Sequence, residues 1–239
     1  MFYGQNFQYL LVVVLPGMVI SGIASWMVKS AFNKYSKVRT RRGISGARAA
    51  QMLLDRAGIT DVKVVRTGGY LSDHYNPTTK HLALSEPVYD SDSVAAIGVA
   101  THEAGHAIQH ATAYAPLGLR SLLVPTVGIG NQIGYFAMAI GAGMAYSGNM
   151  LGKWIFFVGV ALFSCVLLFQ LITLPVEFNA SNRARKLVVE AGIIDVDERT
   201  GVDRVLTAAA MTYVAAAVST LLTLLYFLWR SGLLGGNRD

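Results

Sequence analysis

Apolar residues gather in four long stretches, about Tyr9–Val28, Leu117–Tyr146, Trp154–Leu174 and Val205–Trp229. A membrane-crossing helix needs roughly 20 mostly apolar residues, and each stretch is long enough. The third contains no charged residue. The second is rich in glycine and interrupted by Arg120, Pro125, Asn131 and Gln132. Those polar groups are expected to face neighbouring helices rather than lipid.

Between the first two stretches the pattern shortens to that of a small folded unit. Ser45 can cap a helix running through Ala49, Met52 and Leu53 to about Gly58. Val62, Val64 and Val65 suit a short strand closed by a Gly68–Gly69 turn. Asn76–Pro77 marks another turn, and Leu82, Ala83 and Leu84 suit a second strand. Asp90, Ser91 or Ser93 can then cap a helix from about Val94 to Thr112, stopped before Pro116. The expected fold is a mainly α integral membrane protein, with about four transmembrane helices and a small α+β cytoplasmic unit.

Composition agrees: 53% of residues are hydrophobic and 14% charged, against about 25% charged in soluble domains. The net charge of +6 is localised. Lys29, Lys34, Lys37, Arg39, Arg41 and Arg42 follow the first stretch, and Arg183, Arg185, Lys186, Arg199 and Arg204 lie between the third and fourth. Basic loops stay in the cytoplasm, so the pattern is a topology signal touching anionic lipid and not a nucleic-acid surface. The first eight residues carry no positive side chain, and the apolar run after them is too long for a signal peptide. The expected segments are a retained anchor at 1–28, the cytoplasmic unit at 29–116, a transmembrane hairpin at 117–174, a cytoplasmic helix at 175–204, and a last span with its tail at 205–239.

Chemistry enters at residues 102–106, which read His-Glu-Ala-Gly-His. Histidines four apart on a helix project from one face and can share a metal. Glu103, one residue on, is placed to take a proton from water that a bound zinc has acidified. The only cysteine, Cys165, lies inside the third stretch, so an intramolecular disulfide and a cysteine zinc site are excluded. Two histidines with a carboxylate suit zinc, one ion per chain. His110 is a poor third ligand, because eight residues of straight helix carry it about 12 Å from His102. Of the remaining glutamates, Glu86, Glu177, Glu190 and Glu198, topology favours Glu177. The hairpin leaves from the metal helix and returns to the same membrane face, which brings Glu177 back to the depth of the histidines.

With those segments in view, the chain resembles the YugP-like family of bacterial membrane zinc metallopeptidases. More distantly it resembles the HtpX heat-shock proteases and the CAAX-prenyl proteases. The resemblance runs through Asp73-His74-Tyr75-Asn76-Pro77, the His102–His106 motif and Pro175-Val176-Glu177-Phe178-Asn179-Ala180-Ser181. It implies a zincin-like catalytic unit of the gluzincin type, with His102, His106 and Glu177 as zinc ligands and Glu103 as general base. It also implies a bacterial source and polypeptide substrates drawn from membrane or misfolded proteins. The wider group carries Asp where this chain has Ser181, whose hydroxyl can still hydrogen-bond a ligand histidine.

A developing oxyanion needs a further donor, and His74, Tyr75 and Arg183 are the candidates. The segment Lys80–Ser85 reads equally as an edge strand open to an extended substrate or as an internal hairpin strand. Intramembrane cleavage is disfavoured because no Asp lies within an expected span. The alternative of another class is an inactive zinc-binding scaffold. Glu103 argues against it, since a structural site has no use for a base. The sequence does not fix an oligomeric state.

Overall fold

The computed structural model describes residues 7–234; the outermost residues of the expected first and last segments lie outside them. A π-helical turn at Leu10–Val14 leads into α1 (Leu15–Tyr35). There follow α2 (Gly46–Arg56), β1 (Lys63–Thr67), β2 (His74–Asn76), β3 (His81–Ser85), a short α3 (Glu86–Tyr89) and α4 (Val94–Ala111). Three long helices complete the chain: α5 (Ala115–Tyr146), α6 (Met150–Glu190) and α7 (Arg199–Arg230). Two compact units result. One comprises Met1–Ile23, Leu119–Leu174 and Tyr213–Asp239, and the other Ala24–Gly118 and Pro175–Thr212.

Among the described residues, three helical segments are long and apolar enough to cross a membrane: Phe7–Tyr35, Met150–Glu190 and Arg199–Arg230, each shared along the chain between the two units. The count becomes four if Ala115–Gly128 and Gly130–Tyr146, bent by 49°, form one span. Pro125 lies inside that helix, where it removes a backbone donor and its ring crowds the preceding turn.

Glycine explains how α5 and α6 approach each other. A Cβ added at Gly159 would lie 2.5 Å from Met138 N, and one at Gly141 would lie 2.4 Å from Phe156 N. Small residues let helix backbones touch where lipid supplies no hydrophobic drive. Gly159→Leu is therefore expected to separate this hairpin and lower thermal stability in detergent, whereas Gly143→Leu, whose added Cβ meets nothing, should not. Unfolding midpoints of the two variants check this. Met138, Phe156 and Phe163 pack there with Leu224 and Phe227 of α7.

The second unit holds the sheet, ordered β1-β3-β2. β3 runs parallel to β1 and antiparallel to β2. Of the two sequence readings of Lys80–Ser85, the internal hairpin strand is the one observed, and the edge-strand reading is corrected. β3 has a neighbour on both sides, and burial of Leu82, Ala83, Leu84 and Ser85 reflects that position. β2 carries no strand signal in the sequence beyond the approach to a turn, being three residues long and not β-branched. The turn after it is present, with Asn76 Oδ1 accepting from the Thr78 and Thr79 amides.

Both expected caps are found: Ser45 Oγ accepts from the Arg48 amide and Ser93 Oγ from the Ala96 amide. α4 is almost wholly enclosed. Ala95, Ala96, Ile97, Ala100 and Ala104 pack against Leu53, Leu54, Val88 and Val202. Its end is sharp. Ala113 adopts φ 50°, while its amide bonds His110 O and the Tyr114 amide bonds Gln109 O, so the last carbonyls are satisfied. Pro116 does not simply bar the helix; it sits in the first turn of α5, where its missing donor costs nothing.

Candidate metal centre

α4 presents His102 and His106 on one face, their ring centroids 4.7 Å apart and the planes at 84°. α6 passes through Pro175 without a break and sets Glu177 against them. Glu177 Oε2 lies 3.2 Å from His102 Nε2 and 3.5 Å from His106 Nε2. One ligand atom from each residue falls within 4.8 Å of the others. Glu177 is 2% exposed, so its carboxylate meets the two imidazoles away from bulk water. Two histidines and one carboxylate converging on one point are a donor set that fits zinc.

Two small residues permit the arrangement. A Cβ on Gly105 would sit 2.8 Å from the Ala180 carbonyl oxygen and 3.2 Å from its Cα. The helices therefore meet closely at Gly105 and Ala180, beside the ligand residues in sequence. Neither residue carries chemistry, and both are needed for the geometry.

Around the cluster each imidazole has a second partner. Ser181 Oγ lies 3.2 Å from His102 Nδ1, the contact expected of the residue that stands where the wider group has Asp. Gln109 Oε1 lies 3.0 Å from His106 Nδ1. Gln109 Nε2 donates to Val176 O at 2.8 Å and Asn179 Oδ1 at 3.0 Å. Arg183 Nε donates to the same Asn179 oxygen at 2.8 Å. Sequence reasoning missed Gln109 and Asn179. Gln109 follows His106 by three residues, a spacing that puts two side chains on one helix face. Asn179 has no such local signal, because its partner is on another helix.

Burial opposes protonation of His106, but its hydrogen bond to Glu177 and the charges of Glu103 and Glu177 outweigh burial and raise its pKa. The same effect places Glu103, itself 9% exposed, within electrostatic reach of the cluster. A proton and a metal compete for these ligand atoms, so acidification is expected to release the metal. Zinc retained after dialysis across falling pH measures this.

The remaining candidates have other partners. His74, on β2, has its Nδ1 2.8 Å from Ser72 O. Tyr75 on the same strand has its hydroxyl 2.8 Å from His110 Nδ1, and Arg183 is engaged by Asn179.

Residues 10–232 match the model of the family described as "Putative neutral zinc metallopeptidase". The chain belongs to this family of zinc peptidases. A curated relative, "Putative membrane protease YugP" of Bacillus subtilis (strain 168), is 45% identical over 215 residues, covering 90% of this chain and 93% of that protein. No solved structure matches.

Proposed function

We propose that this chain is a multi-pass membrane zinc endopeptidase in which His102, His106 and Glu177 hold one zinc ion and Glu103 is the general base. The observation that carries the reading is the convergence of three ligand atoms within 4.8 Å, with Glu103 adjacent to His102 on the same helix. Zinc, when bound, polarises a scissile carbonyl and acidifies water at neutral pH. Glu103 then takes the proton from the attacking water and hands it to the departing amine, so the peptide C–N bond breaks and a C–O bond forms. A donor for the oxyanion comes from His74, Tyr75 or Arg183.

On this reading the bent α5 counts as a span, giving four. Basic residues after Val28 and between Leu174 and Val205 favour a cytoplasmic site, and the substrates are membrane or misfolded polypeptides of a bacterial cell. Support for a polypeptide substrate comes from the relative's description as a "Putative membrane protease".

The test is metal removal. Protein purified in detergent is expected to carry about one zinc per chain and to cleave casein or a membrane-protein substrate. A chelator should abolish cleavage, and added zinc should restore it. Freshly purified protein without metal would defeat the proposal; protein that keeps zinc yet cuts nothing would favour the scaffold.

A further inference from the structure

Gln109 is completely buried, and its hydrogen bonds leave its amide only one orientation. Val176 O, 2.8 Å away, is a backbone carbonyl and can only accept. The end of Gln109 that faces it must therefore be the NH2 group, since the flipped amide would press two oxygens together in a buried space. Asn179 is oriented by the same logic. Arg183 Nε can only donate, so the Asn179 atom that meets it is the carbonyl oxygen, which also accepts from Gln109.

With Nε2 committed, Gln109 Oε1 faces His106 Nδ1 at 3.0 Å and can only accept. Nδ1 must then carry the proton. In a neutral imidazole the lone pair is left on Nε2, the atom that faces Glu177 Oε2 at 3.5 Å. Ser181 exerts no such control over His102, because a hydroxyl 3.2 Å away can rotate to donate or accept. Gln109 also joins the two ligand-bearing helices, bonding His106 on α4 and the backbone carbonyl just before Glu177 on α6.

We propose that Gln109, held by Val176 O and by Asn179 with Arg183 behind it, is a positioning residue that locks His106 in its Nδ1-protonated form with Nε2 directed at the metal. This rests on the reading of His102, His106 and Glu177 as ligands. Loss of such an outer partner typically costs 10- to 100-fold in metal affinity.

The experiment measures zinc affinity by chelator competition on the full-length protein in detergent, for wild type, Gln109→Leu, Asn179→Leu, Asn179→Asp and His106→Ala. Unfolding of each zinc-free form controls for folding, and nitrogen NMR of histidine-labelled, zinc-free protein, at a pH high enough to leave His106 neutral, reads its tautomer. Gln109→Leu should weaken zinc binding about 10- to 100-fold and leave His106 a mixture of tautomers. Asn179→Asp keeps both acceptor bonds and should stay within a few-fold of wild type, with Asn179→Leu clearly weaker. A folded Gln109→Leu with wild-type affinity and an unchanged His106 spectrum overturns the proposal. Should Gln109→Leu not fold, equal affinities in Asn179→Leu and Asn179→Asp overturn it. Wild-type affinity in His106→Ala would instead refute the ligand assignment itself.

Discussion

Glu103→Gln is expected to keep its zinc and lose peptidase activity by about 10²- to 10⁴-fold, the usual contribution of a positioned general base. The substitution preserves shape and volume at a residue 9% exposed on an enclosed helix, so folding should be intact. An amide cannot accept the proton that water must lose. It also removes a negative charge that acts on His106, so zinc binding should change far less than the rate. Metal analysis beside a cleavage assay separates the two effects. A variant that cleaves at near the wild-type rate would remove Glu103 from the mechanism and leave the ligand set untouched.

The second large effect falls on a residue with no functional group. Gly105→Val places methyl groups where the Ala180 backbone already lies, 2.8 Å from a single added Cβ. Backbone atoms of a helix cannot swing aside as a side chain would, so α4 and α6 must separate. Overpacking of this kind costs about 1–3 kcal/mol, enough to lower the unfolding midpoint by a few degrees. The site should suffer more. His102 and His106 sit on one of these helices and Glu177 on the other, and metal ligands tolerate distance errors of only about 0.2 Å. Zinc content is therefore expected to fall well before the protein unfolds. Gly98→Ala is the control, since its Cβ would meet Val202 Cγ1 at 3.5 Å, an ordinary contact.

Much of this organisation is legible in the sequence, and what is missed has a common cause. The long apolar helices, the Ser45 and Ser93 caps and the pairing of His102 with His106 depend on residues close together along the chain. Local spacing suffices to find them. The arrival of Glu177 beside the histidines could be argued from topology, because a hairpin must return its end to the face it left. β2 could not be foreseen, since it is extended only through its pairing with β3. The role of Gly105 depends on which residue of a distant helix stands opposite it. The contact of Gln109 with His106 is local, three residues along one helix, but its bonds to Val176 and Asn179 depend on that same register, which no spacing along either helix reveals.

The basic run after α1 is the clearest instance. Its charges read as groups free to touch lipid, yet Arg39 pairs with Asp92, Arg41 with Asp195 and Asp197, and Arg42 with Asp195. Glu198 adds bonds to the backbone amides of Arg41 and Asp195. Each exposed pair contributes little alone. The Arg41 and Arg42 pairs fasten points more than 150 residues apart in the chain, in a protein whose single cysteine rules out a covalent bridge within one chain. The fastening works as a salt-sensitive latch. Shielding by ions weakens it while leaving the buried packing intact, so this corner of the unit would loosen with rising ionic strength at constant temperature and pH.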